Sequence, residues 1–489
     1  MSNVANNTLL FETTAEGFGE GDFLVRRMEG YEWISSPYEF HLTLQCNVEG
    51  GISPEQADLL LSSSARICFG PDGGRAAAGV LREIEQLEMS VDARTSLYRA
   101  VLVPRYWLTH LTRRTRAFNE KSIPEIFEAV LQEMGWASGT DYELRLNETY
   151  SPREYVVQFE ETDFAFLSRW MERLGIYYYF EQGDEKEMLV ICDANANHVA
   201  APDNSDCFYN HHEQLEHTGG VHRLRRLNRV RAAKVHVRDY NWRTPSKPVV
   251  GTAEVDTEHG YGLHQHSGDH FKDDGEGAKY ATLRAELWKA GKEIYTARTG
   301  NYDFWAGHRF TLSGSPVGEL DQEYLITKVH HHAEQDSQSA GMGGYANEIE
   351  AIPFATQYRP PRVTPWPRID GVITGKIDAE SISSASPIDP DGRYRVVLPW
   401  DLYGAYGGKA SRLIRKAEPY AGGTYGMHMT LHVGAEVLLA HIGGDPDRPI
   451  IVGSVPNPTM STALNATNAT RSAIRTRSGI LIDFHDDAG

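Results

Sequence analysis

Four prolines stand among the ten residues 358–367, in the stretch YRPPRVTPWP. Proline fixes its own φ and lacks an amide hydrogen, so neither a helix interior nor a central strand can run through such a segment. It must be an extended, stiff connector. It divides the 489 residues into about 360 before it and about 120 after it. At roughly 150 residues per domain, the chain holds about three domains.

Both sides of the connector read mainly as strands. Phe40, Leu42, Leu44 and Cys46 alternate with His41, Thr43 and Gln45, the period of a half-buried strand. Further strand-like runs lie at 98–103, 324–329, 393–398, 436–442 and 449–455, separated by turn signals such as PDGG at 71–74 and DPDG at 389–392. After the connector, about 90 residues carry some five short strands, the size of a small closed barrel.

Helices are few. Ser122 and Glu125 have capping-box spacing, and Ile123, Ile126, Phe127, Val130, Leu131 and Met134 share one face up to Gly135. A second helix is predicted after Thr162, with Phe164, Leu167, Met171 and Leu174 inward and Gly175 ending it. An aromatic strand follows at 176–180, and a third helix is predicted over 277–292. The fold class is therefore mainly β with small α/β insertions. A soft linker rich in Thr, Asn, Ala and Ser is expected at 461–472. Beyond it Ile480, Ile482 and Phe484 alternate as in an unpaired strand that Gly489 cuts short.

Charge narrows the partners. Lys+Arg number 48 and Asp+Glu 67, a net charge of −19, and phosphate-backbone binding needs the opposite sign. No run of about 20 apolar residues spans a membrane, and the N-terminus lacks the charged and apolar regions of a signal peptide. Synthesis in the cytoplasm is expected. Cys46, Cys68, Cys192 and Cys207 are scattered, which predicts reduced, packed thiols and no paired zinc spacing.

No segment makes a convincing active site. His212, Glu213 and His217 evoke a zinc hydrolase, but the two histidines stand five apart where the helical zinc motif needs four; a polar loop is the favoured reading. His330, His331 and His332 are consecutive, so a strand would turn them to opposite faces, and a solvated strand end is expected. The histidine-rich stretch 256–276 reads as a mobile, hydrated loop. Glu160, Glu161 and Asp163 precede a helix and suit its positive end. Tyr177–Tyr179 would make an aromatic glycan platform if exposed. Arg223, Arg225, Arg226, Arg229 and Arg231 form the one strong basic run, read as a solvated face or as a partner for acids across a subunit interface.

The sequence nevertheless resembles one family along most of its length. AVLVPRYWL at 100–108, NEKSIPE at 119–125, REYVVQF at 153–159, DFAFLSR at 163–169 and GIYYYF at 175–180 are similar to the VgrG spike proteins of type VI secretion systems. So are VRDY at 237–240, GHRFT at 307–311, NEIEAIP at 347–353, YRPP at 358–361 and GGDPDRPII at 443–451. The resemblance implies a phage-hub-like domain over 1–360, made of two β-barrels with an α/β insertion about 118–185. A Pro-rich linker at 361–367, an OB-fold at 368–457, a linker at 458–477 and the start of a triangular β-helix needle at 478–489 would follow. It implies a homotrimer that caps the Hcp tube hexamer, meets baseplate subunits, a PAAR-repeat tip protein and effectors, and crosses a membrane only by mechanical puncture. No catalysis, cofactor or nucleic acid is implied. A phage-tail or other contractile spike is the related alternative. Within the OB-fold the family motif falls on Gly434, Asp445, Pro446, Asp447, Arg448 and Pro449. Ile480, Ile482 and Phe484 would meet their copies on the trimer axis.

Overall fold

Residues that alternate in the sequence alternate between core and surface in the structure: the strand Ser36–Cys46 buries Tyr38, Phe40, Leu42, Leu44 and Cys46. The computed structural model describes residues 7–486 apart from 20, 72–73, 90–94, 184, 203–204, 211–219, 336–341, 384, 403 and 405. The chain forms two compact units, one of residues 1–111, 128–149 and 167–364, the other of residues 112–127, 150–166 and 365–489.

In the first unit a twelve-stranded sheet carries the architecture among the described residues. Strand Phe23–Trp33 pairs antiparallel with Glu323–Gln335, joining the N-terminal strands to those that precede the connector. Its rings pack in two groups. Phe40, Phe69, Trp305 and Tyr345 surround His331, and Phe304, Phe310, Tyr295 and Tyr324 form the other core. In a smaller three-stranded sheet the central strand Glu187–Cys192 pairs antiparallel with Tyr177–Gln182 and parallel with Tyr142–Arg145.

The second unit holds a five-stranded antiparallel sheet in the order Ile414–Arg415, Arg393–Val397, Val372–Asp378, Glu436–His441, Pro449–Val455. Its core comprises Ile377, Tyr394, Val396, Val437, Leu439 and Ile451, together with Tyr155 and Val157 from the strand Arg153–Thr162. That burial explains why the insertion near 118–185 does not stay whole within residues 1–360: the strand pair Arg113–Lys121 and Arg153–Thr162 supplies apolar side chains to the barrel core.

Among the described residues there are four α-helices: α1 (Pro54–Ser62), α2 (Ile123–Glu133), α3 (Asp163–Leu174) and α4 (Asp274–Ala290). For α2, the Ser122 amide donates to the Glu125 carboxylate at 2.7 Å while the Glu125 amide donates to Ser122 Oγ at 3.4 Å, the reciprocal cap expected from the spacing. Helix α1 is not in the sequence reading. It begins with the same device, Ser53 and Gln56, and Pro54 sits at its first turn. Helix α4 starts three residues before the predicted Gly277, because Asp273 caps it by accepting from the Glu276 amide at 2.9 Å. Gly277 lies inside the helix for packing reasons: a Cβ there would stand 2.8 Å from the Val250 carbonyl oxygen of the adjacent strand.

Two further expectations are corrected. Residues 263–267 of the supposed mobile loop form a strand parallel to Lys234–Asp239, and Asp269 beside it is buried. At the chain's end, the strand Leu481–His485 is not unpaired. It forms an antiparallel hairpin with Arg471–Arg475, so the stretch expected as linker contains a strand.

The core also contains a pH-sensitive group. His198 Nδ1 lies 2.7 Å from the Gly307 carbonyl, which only accepts, so Nδ1 carries the proton and Nε2 accepts from the Tyr177 hydroxyl at 3.1 Å. Burial lowers its pKa from 6.5 to about 4. The unfolded chain thus binds more protons between these values; the contribution to stability is complete above pH about 6.5 and is lost as pH falls towards 4. We expect a loss of up to about 1.4 kcal/mol per pH unit from this group across that interval. Urea unfolding at stepped pH should show a shallower slope for His198→Gln; an unchanged slope would contradict the assignment.

Candidate assembly sites

The family motif is a tight turn between the strands Glu436–His441 and Pro449–Val455. Gly443 and Gly444 adopt φ of 67° and 77°, left-handed values that favour glycine. The Arg448 amide donates to the Asp445 carbonyl at 2.9 Å, and the Ile442 amide to the Arg448 carbonyl at 3.0 Å, closing the turn. Asp445 Oδ1 accepts from the Asp447 amide at 2.9 Å, a local contact of the expected kind. Pro446 is buried, and Pro449 opens the next strand.

Asp447 acts at longer range. It is buried, and its Oδ1 accepts from the Val157 amide at 2.7 Å, fastening the strand Arg153–Thr162 to the barrel. Burial raises the pKa of the neighbouring Tyr155 phenol, and the carboxylates of Asp401 and Asp447 push it further. Asp447→Ala would remove a buried acceptor of the Val157 amide, and we expect a loss of about 1–3 kcal/mol in denaturant unfolding. Asp447→Asn keeps a carbonyl acceptor and should cost less; equal costs would argue against this role. Among the described residues the Arg448 guanidinium meets no carboxylate within salt-bridge distance, so its charge is not consumed by the turn. Gly434 adopts φ 85° at the other end of the Glu436–His441 strand, and its amide donates to the Ile377 carbonyl at 2.9 Å. The strand therefore separates Gly434 from the turn.

The terminal hairpin presents an apolar surface. Ile482 pairs across the hairpin with Ile474, and Phe484 follows on the same face. Ile480 precedes the strand. In the single chain Ile480, Ile482 and Phe484 are 67%, 52% and 58% exposed, values at which such side chains gain little from burial.

The other candidate groups separate. His212, Glu213 and His217 lie outside the described residues. The three histidines 330–332 are within the strand Glu323–Gln335, not at a solvated end. His331 is fully buried between Glu32 Oε1 at 2.8 Å and the Tyr345 hydroxyl at 2.7 Å, whereas His330 stacks on Tyr31. Tyr177, Tyr178 and Tyr179 are buried, which removes the glycan platform. Asp163 is buried beside Arg114 and Arg116 and accepts from Gln158 Nε2 at 2.7 Å, while Glu160 is exposed, so these acids form no catalytic pair.

One charge cluster has no local signal in the sequence. Asp269 is 1% exposed and accepts from Arg284 Nε at 3.0 Å and Arg362 Nη1 at 3.2 Å, with Arg173 at 4.0 Å and His266 at 3.5 Å. Burial alone would raise its pKa; the His266 bond and the Arg173 and Arg362 charges outweigh it and hold the value at about 2. Arg362 belongs to the Pro-rich stretch, and Glu172 accepts there from the amides of Val363 and Thr364, both at 3.0 Å.

The fold has counterparts among known families. The phage tail baseplate hub (GPD) model matches residues 31–337, and the chain belongs to that family. The type VI secretion system/phage-baseplate injector OB domain matches residues 385–455. Among curated relatives, the type VI secretion system spike protein VgrG1b of Pseudomonas aeruginosa is 29% identical over 472 residues, covering 93% of this chain. The chain spans only 61% of that relative's length. The actin cross-linking toxin VgrG1 of Vibrio cholerae is 26% identical, with 91% of this chain and 41% of the toxin covered. In fold, the chain is similar to an E. coli type VI secretion component described as resembling the T4 phage tail proteins gp27 and gp5, with TM-score 0.68, 21% identity, and coverage of 91% of this chain and all of that one.

Proposed function

We infer that the chain is a spike of a type VI secretion system, a trimer whose hub caps the Hcp tube and whose needle end carries a PAAR-repeat tip and effectors through a target membrane. The observation that carries this reading is the terminal hairpin: three large apolar side chains that one chain leaves open would be covered when three copies meet on an axis. In this reading residues 1–360 supply most of the hub, 368–457 the OB-fold, and the hairpin the entrance to the needle. Similarity to VgrG1b favours the secretion machine over a phage tail. The role of these residues is mechanical and non-enzymatic, and the protein leaves the cytoplasm through the secretion machinery itself.

Light scattering on the full-length protein should give three times the mass of one chain. The double variant Ile482→Asp/Phe484→Asp should shift it towards monomer while the circular dichroism spectrum is retained. A monomeric wild type would overturn the reading.

A further inference from the structure

The large sheet of the first unit leaves two strand stretches of unlike charge without a neighbour on one side. The strand Val221–Asn228 is its last strand, paired on one side with Glu293–Thr299. From Arg225 onward this edge and its continuation are exposed on both faces, with Arg225, Arg226 and Arg229 flanking Leu227 and Val230. Among the described residues Arg225 and Arg229 meet no carboxylate, and Arg226 lies 3.9 Å from both Glu293 and Glu319. Elsewhere in the sheet, Arg75–Met89 pairs with Ser64–Pro71 only up to Val80, although it stays paired on its other side to its end. Helix α1 lies against this strand. Beyond Val80 it exposes Glu83, Glu85 and Glu88 around Leu87. Glu88 meets no cation among the described residues.

We propose that the arginine edge at 225–230 of one copy docks on the glutamate edge at 83–88 of a second copy of this chain. Charge on an edge strand can serve merely to prevent aggregation. A guard needs no apolar side chains, however, and here Leu227, Val230 and Leu87 stand exposed within the charged rows. Opposite signs on two different surfaces let each copy offer its arginine edge to one neighbour and its glutamate edge to another, and such head-to-tail contacts close a ring. In an acidic chain the basic edge is also steered towards acidic surfaces, which every other copy offers. This inference rests on the trimer proposed above and names the residues of its hub contact.

The test uses the full-length protein bearing Leu87→Cys and Leu227→Cys, treated with a flexible bismaleimide. All four native thiols are buried, so labelling is confined to the introduced sites. Covalent dimer and trimer should form only when both substitutions are present. Adding Arg225→Glu/Arg229→Glu should lower the cross-linked yield about tenfold. Adding Glu83→Arg/Glu88→Arg to that chain should restore it. Protein that elutes as a trimer yet gives no cross-linked species overturns the docking, as does a charge swap that fails to restore the yield. Protein that elutes as a monomer instead overturns the trimer on which the docking rests.

Discussion

Replacing Asp269 with alanine is expected to destabilise the first unit by about 3–5 kcal/mol at neutral pH. The carboxylate is the common counter-ion of Arg173, Arg284 and Arg362, and two of those guanidinium groups are themselves largely buried. Removing it takes the shared counter-ion from cations in a low-dielectric setting, which costs far more than loss of a surface pair. Asp269→Asn keeps the shape and isolates the charge. The pKa of about 2, below the usual carboxylate range, fixes the sign of the pH effect. The stabilisation is complete above pH about 4 and disappears as pH falls through 2, so the wild type should lose an acid-dependent increment that both variants lack. Denaturant unfolding between pH 2 and 7 reads this directly. A loss below about 1 kcal/mol for Asp269→Ala would show that the cluster contributes little.

Gly307→Ala should cost roughly 2–5 kcal/mol, from two causes. Its φ is 92°, outside the range that alanine adopts without strain. An added Cβ would also stand 2.4 Å from the Tyr179 ring. That ring cannot readily retreat: it is buried, stacked on His198, and its hydroxyl lies 3.1 Å from both Arg145 Nη1 and Glu181 Oε1. Gly314 is the control, with φ 73° and open space where a Cβ would go. Gly314→Ala should show only the backbone part, about 1–2 kcal/mol. Equal melting shifts for the two variants would mean that the Tyr179 clash adds nothing.

The barrel strands after the connector were legible because each is a short alternating run between turn residues. Arg393–Val397, Glu436–His441 and Pro449–Val455 lie where the pattern places them. Helix α2 was legible through Ser122 and Glu125; α1 carries the same signal in Ser53 and Gln56 but only a short apolar stripe behind it. Long-range facts had no local signal. Nothing near Asp445 and Asp447 announces that one carboxylate closes the turn while the other reaches Val157, since that depends on a strand 290 positions away. Asp269 lay hidden for a related reason: a polar, histidine-rich stretch reads as solvated, and only the fold brings three arginines to it. The hub family was legible from ordered motifs spread along the chain, which composition could not have supplied.

The four cysteines have a consequence for how such a protein could travel. Each is buried, and burial raises every thiol pKa, to about 11 for Cys68 and about 12 for Cys207. The thiolate is the form that attacks disulfides and oxidants, so at neutral pH almost none is present. A folded chain of this kind can pass from a reducing to an oxidising medium with its covalent structure unchanged, needing neither a foldase to form bonds nor a reductase to remove them.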